Sequence, residues 1–170
     1  MGFVLVLGGA RAGKSAYAQR LASASGMAVA LVATATADDA EMEERIQWHR
    51  RSRPPDWTTV EEPVELGAAV RPIPGDSFVI VDCLTLWVSN LLGAGRRAAE
   101  VSELAEAAAR ELATRRGVVV SNEVGLGIVP ANALARTFRD VLGSVNTTFA
   151  GCAERSVLMV AGRVLELGPA

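Results

Sequence analysis

Lysine is almost missing from this chain. Of its 17 basic residues 16 are arginine, and Lys14 is the one lysine; histidine also occurs once, as His49. Cysteine is limited to Cys83 and Cys152, both in apolar stretches. So few cysteines exclude a disulfide framework or a zinc site, and they read as buried thiols in a reducing compartment. No run reaches the roughly 18 apolar residues needed to cross a bilayer. The first apolar run, Phe3 to Leu7, has no basic region before it and leads straight into glycines, which is not the pattern of a signal peptide. An excess of one charge is also lacking: 17 basic residues against 19 acidic give a net charge of −2. A near-neutral surface argues against a bulk nucleic-acid or anionic-membrane binder. The expectation is a cytoplasmic protein without membrane insertion and without a nucleic-acid partner.

What is present is a globular composition. Half of the 170 residues are hydrophobic and 21% are charged, enough for one domain, 1–170, to bury its own core. Where arginine fills nearly every cationic role, a lone lysine suggests work that needs a compact point charge and not a planar fork.

Apolar runs alternate with helical periodicities. Strands are expected over 3–7, 28–33, 78–81 and 118–120, each a continuous apolar run of the kind buried on both faces. A short edge strand is expected near 57–61 and two closing strands at 156–160 and 164–167. Helices are expected over 16–24, 38–51, 84–92 and 98–116, with Asp38 or Asp39 capping the second. A long helix over 131–150 is read from the stripe Leu134, Phe138, Val141, Val145 and Phe149. This alternation implies an α/β fold, a mostly parallel sheet with helices on both faces.

Gly8-Gly9-Ala10-Arg11-Ala12-Gly13-Lys14-Ser15 has the form of a phosphate-binding loop between a strand and a helix. Glycines let backbone N–H groups wrap a polyphosphate, and the helix N-terminus adds partial positive charge. In such a loop the lysine reaches the β- and γ-phosphates and the serine hydroxyl holds Mg²⁺. Phe78-Val79-Ile80-Val81-Asp82 is an apolar strand ending in a carboxylate. Asp82 is therefore a candidate to hold that Mg²⁺ beside the loop, or else it caps the helix that follows.

His49 lies among Arg45, Arg50, Arg51 and Arg53. That charge attracts phosphate and lowers the pKa of an imidazole, and a neutral imidazole is a competent nucleophile toward phosphorus. The same segment is equally compatible with a solvated helix face. Ser121 to Pro130, rich in glycine, leaves a strand on the phosphate-loop edge, either to line a pocket or as an ordinary connection.

Together these segments resemble the bifunctional adenosylcobinamide kinase/adenosylcobinamide-phosphate guanylyltransferase family of cobalamin biosynthesis. The resemblance is carried by the phosphate loop, by Arg45-Ile46-Gln47-Trp48-His49 with Arg53-Pro54 and Trp57, and by Val81-Asp82-Cys83-Leu84-Thr85. Asn90-Leu91-Leu92, Ser121-Asn122-Glu123-Val124-Gly125, Gly127-Ile128-Val129-Pro130 and Arg139-Asp140 with Gly143 and Asn146 complete it. It implies a RecA-like P-loop NTPase fold, homotrimeric assembly and two reactions. One phosphorylates the aminopropanol hydroxyl of adenosylcobinamide from ATP or GTP. The other transfers GMP from GTP to that phosphate, with release of pyrophosphate. It also implies that His49 carries GMP as a phosphoramidate, and that Ala33-Thr34-Ala35, Arg50, Arg51, Ser52, Arg53, Glu61 and Asp82 contact nucleotide. Where some relatives have two adjacent histidines, the first position here is Trp48.

Two other readings remain to be separated from this one. A plain phosphate-loop kinase of a small molecule would leave His49 structural. A GTP-driven switch expects an Asn-Lys-x-Asp motif, which a chain with a single lysine, already used in the loop, does not have.

Overall fold

Four of the expected apolar runs form the middle of one seven-stranded sheet. A computed structural model describes residues 2–37, 39–51 and 53–169, the side chains of Glu41, Arg45 and His49 excepted. The strands are β1 (Phe3–Gly8), β2 (Val29–Ala33), β3 (Thr58–Glu61), β4 (Phe78–Asp82), β5 (Gly117–Val120), β6 (Arg155–Val160) and β7 (Arg163–Leu167). They lie in the order β3-β2-β4-β5-β1-β6-β7. All neighbours are parallel except β6 and β7, which form an antiparallel hairpin. Thr58–Glu61 is an edge strand, as expected for a short run with a mostly polar pattern.

The helices are α1 (Lys14–Ala24), α2 (Ala40–Arg51), α3 (Leu66–Val70), α4 (Leu84–Gly93), α5 (Ala98–Ala113) and α6 (Ala133–Cys152). Alternation along β1 divides the core between the two faces of the sheet, because successive side chains of a strand point to opposite sides. Phe3, Leu5 and Leu7 pack with Trp87 and Leu91 of α4, Leu112 of α5 and Leu142 and Phe149 of α6. Val6 points the other way, with Ala18 and Ala22 of α1, Ile80, Val118 and Met159. The Phe3 and Phe149 rings meet edge to face at 6.0 Å, and each ring so buried contributes about 1.5–3 kcal/mol.

The structure adds one helix, adjusts one expectation and meets one stated alternative. The short helix α3 is not expected from the sequence, because five residues give too little periodicity to read. The α6 stripe is buried from Val141 onward, but Leu134 is 72% exposed because the first turn of the helix runs beyond the core. Periodicity shows which face of a helix is apolar, not where its cover ends. The α2 cap is Asp39, whose carboxylate accepts the Met42 N–H at 2.7 Å; Asp38 lies outside the described residues. No helix among the described residues is long and apolar enough to cross a membrane.

Candidate nucleotide site

Parallel strands bring their carboxyl ends to one edge of a sheet, where ligands of open α/β folds bind. Here the pairing puts five of those ends in one row. Glu61 is level with Ala33, Ala33 with Asp82, Asp82 with Val120, and Val120 with Val6, two residues before Gly8. Ala33, Glu61, Asp82 and Val120 thus lie along the edge that carries the loop after β1. One strand, β5, stands between β4 and β1, so Asp82 addresses the phosphate loop across a strand and not from the neighbouring one.

The loop 8–15 needs its glycines. Gly8 has φ +151°, and a Cβ there would sit 2.5 Å from the Met159 carbonyl oxygen of β6; Gly13 has φ +97°. Neither position suits an L side chain. The loop is braced from below by the β6–β7 turn, where the Gly162 N–H donates to the Ala12 carbonyl at 3.1 Å. Lys14 opens α1, is 8% exposed, and donates from Nζ to the Gly9 carbonyl at 2.6 Å. Burial lowers its pKa, while the neighbouring Asp82 carboxylate acts to hold it up. Ser15 follows in the first turn of α1, half-buried.

The β2 and β4 ends are knotted together. Thr34, fully buried, has its N–H on the Asp82 carbonyl at 3.1 Å. Its hydroxyl donates to the Cys83 carbonyl at 2.7 Å and accepts from the Cys83 N–H at 2.9 Å. The Thr34 carbonyl accepts from Asn90 Nδ2 of α4 at 2.7 Å. Cys83 is the N-cap residue of α4, so Asp82 belongs to the strand end and not to the helix cap. Burial, with Asp82 beside it, pushes the Cys83 thiol up to about 11, so it is a neutral packing group at working pH. Both cysteines are free.

Thr34→Val tests the knot. The shape is kept, but the Cys83 N–H loses its partner, while the Cys83 carbonyl keeps the Trp87 N–H at 3.2 Å; a buried group left unpaired costs about 1–3 kcal/mol. A fall of that order in the unfolding free energy, at unchanged denaturant slope, is expected in a urea titration. A change below about 0.5 kcal/mol, the ordinary range for surface substitutions, would mean that the knot adds nothing.

The arginine segment closes the other side. Arg50 forms an ion pair with Glu61 at the end of β3, and Arg53 Nη1 donates to Thr59 Oγ1 at 3.4 Å. Burial lowers the Arg53 pKa, Asp82 and Glu61 hold it up, and Arg50 adds to the lowering. Asp82 is therefore felt by the cations of both halves, Lys14 and Arg53. Arg51 is not brought in: it is exposed and donates back to the Gln47 carbonyl of its own helix. Ser52 lies outside the described residues. His49 lies in the last turn of α2, one residue before Arg50, and its side chain is outside the description. Trp48 beside it is 63% exposed.

After β5 the chain is fastened at three points. Ser121 N–H donates to the Val6 carbonyl at 2.9 Å and Glu123 N–H to the Gly8 carbonyl at 3.2 Å. Asn122 N–H donates to Thr85 Oγ1 at 2.8 Å. Asn146 of α6 accepts from the Ser121 hydroxyl at 2.6 Å and donates to the Asn122 carbonyl at 3.0 Å. Beyond this anchor Leu126 and Ile128 are 85% and 97% exposed. The fastening residues Thr85, Asn90 and Asn146 were not read as site residues. Their signal was present, since an amide in the otherwise apolar turn Asn90-Leu91-Leu92 needs a buried partner.

Among the described residues no three His, Cys, Asp or Glu side chains cluster as an all-protein metal cage. One hydroxyl and one carboxylate, Ser15 and Asp82, suit Mg²⁺, which keeps its waters and takes phosphate oxygens as ligands.

The chain is similar to known proteins over nearly its whole length. Residues 4–167 match the family model described as cobinamide kinase / cobinamide phosphate guanyltransferase. The bifunctional adenosylcobalamin biosynthesis protein CobP of Pseudomonas aeruginosa is 43% identical over 171 residues, covering 96% of this chain and 95% of that protein. The bifunctional adenosylcobalamin biosynthesis protein CobU of Escherichia coli is 39% identical, covering 94% and 96%. A solved structure from Pyrococcus horikoshii, only 8% identical, superposes with a TM-score of 0.58 over 97% of this chain and 85% of its own, a likeness of fold alone.

Proposed function

The chain belongs to the cobinamide kinase / cobinamide phosphate guanyltransferase family and is an enzyme of that kind, and from that premise we propose how its residues divide the two reactions. Lys14 and the backbone N–H groups of Gly8 to Ser15 hold the nucleoside triphosphate. Mg²⁺, held by Ser15 and Asp82, supplies charge neutralisation to the phosphate oxygens when bound. In the kinase reaction the substrate hydroxyl oxygen displaces a nucleoside diphosphate from the γ-phosphorus, and the protein contributes position and charge. In the second reaction a ring nitrogen of His49 displaces pyrophosphate from the α-phosphorus of GTP. The phosphate of adenosylcobinamide phosphate then displaces His49, giving adenosylcobinamide-GDP and free enzyme. Splitting the transfer in two is what a covalent nucleophile gains. Arg50 and Arg53 flank this step with guanidinium groups suited to phosphate oxygens. Ala33-Thr34-Ala35 and Glu61 line the strand ends between the two groups.

The observation that supports this reading most is the row of strand ends. Glu61, the partner of Arg50, is level with Ala33 and through it with Asp82, on the sheet edge that carries the phosphate loop, so the two groups of residues face one site. The test is covalent labelling. Incubation with α-labelled GTP and Mg²⁺ is expected to leave label on the protein, labile in acid and stable in base as a phosphoramidate is. Kinase turnover without any such label would instead identify a small-molecule kinase that lacks the guanylyl step.

A further inference from the structure

Asn90 is the side chain on which the two halves of the site converge. It stands on α4, and its amide nitrogen donates to two carbonyls at once, Thr34 at 2.7 Å and Pro63 at 3.1 Å. Two carbonyl oxygens around one terminal atom require that atom to be the –NH₂ group, because an amide oxygen would face two acceptors. Thr34 belongs to the phosphate-loop half: its hydroxyl holds both backbone groups of Cys83, next to Asp82. Pro63 belongs to the other half. It lies two residues past Glu61, the partner of Arg50, and Arg50 adjoins His49 on α2.

The β2–β3 ladder itself ends with the Glu62 N–H on the Ala33 carbonyl at 2.9 Å. Past that bond, Glu62 closes a local turn by accepting the Val64 and Glu65 N–H groups. Two further ties of this segment run to α4: the Asn90 amide on Pro63, and the Trp87 indole N–H on the Val64 carbonyl at 2.7 Å. Trp87 is fully buried in the core, so its role is structural first. Asn90 instead reaches both strand-end segments from one atom.

We propose that Asn90 is a positioning residue. By binding the Thr34 and Pro63 carbonyls together, it fixes the end of β3, and through Glu61 and Arg50 the helix bearing His49, against the phosphate-loop half. Only guanylyl transfer needs the two halves on one nucleotide; phosphoryl transfer to a hydroxyl uses the loop half. Asn90 is therefore specific to the guanylyl step. This inference rests on the division of labour proposed above.

The test uses Asn90→Asp, which keeps the shape but puts acceptors against both carbonyls, and Asn90→Ala, which removes the contact. Rates are normalised to the stoichiometry of nucleotide binding, so that a partly unfolded preparation does not enter. In single turnover with saturating α-labelled GTP, protein labelling is expected to slow by about tenfold or more, since misplacement of a reacting group by 1 Å can cost ~10²-fold. Kinase kcat and the nucleotide KM should stay within about threefold, because Thr34 keeps its bonds to Asp82 and Cys83 and so holds the loop half in place without Asn90. Equal losses in both reactions, loss of nucleotide binding, or labelling at the unsubstituted rate would each overturn the proposal. Absence of label on the unsubstituted protein is a different result, and it would refute the two-step reading instead.

Discussion

Lys14→Ala is expected to remove both activities together, by about 10²–10³-fold or more, the loss seen when one preorganised donor to developing charge is deleted. Both reactions begin with a triphosphate whose charge must be neutralised, and Lys14 is the buried cation of the loop, Arg11 being exposed. Its side chain is buried and aimed at a loop carbonyl, so the position is fixed before any ligand arrives. Lys14→Arg should fail almost as badly. In a chain that uses arginine 16 times elsewhere, this site needs a compact ammonium, and a planar fork does not fit a pocket where Nζ already lies 2.6 Å from Gly9 O. Circular dichroism should show both variants folded. Near-normal turnover of either reaction in folded Lys14→Ala would sink the assignment of the loop.

His49→Ala has the opposite signature: guanylyl transfer falls to background while kinase activity persists. The intermediate is lost with its nucleophile, but a hydroxyl acceptor needs no covalent relay. None of the described side chains of α2 is buried, and alanine is the best helix former, so the helix itself should tolerate the change. The readout is label from α-labelled GTP alongside a separate kinase assay with γ-labelled nucleotide. A folded variant that still takes label, or one that loses both activities, would refute the separation of roles.

Much of this protein could be read along the chain because its local signals are strong. Phe3 to Leu7 and Phe78 to Val81 are continuous apolar runs of strand length, and each ends in the residues that matter, glycines or Asp82. Strand order is not written locally. Nothing in Val118 to Val120 says that β5 inserts between β1 and β4, because that depends on which edges remain free after the helices have packed. The knot of Thr34 with Cys83 joins residues 49 positions apart, and neither residue type signals its partner. Asn90 shows the intermediate case: its presence in an apolar helix predicts a buried hydrogen bond, while Thr34 and Pro63 as its acceptors emerge only from the sheet. The short helix α3 lies below the length at which a period can be counted.

The single ε-amine of the sequence lies inside the phosphate loop, and this has a consequence for the covalent chemistry of the surface. Apart from the chain's own α-amine, an acylating or reductive-alkylating reagent has one address. Its reaction there must compete with whatever occupies the loop, so the extent of modification at Lys14 reports the share of unliganded sites. Nearly everywhere else the positive charge is guanidinium, a planar group without the free amine that such reagents attack. The arginine-rich surface of this molecule is therefore closed to amine chemistry.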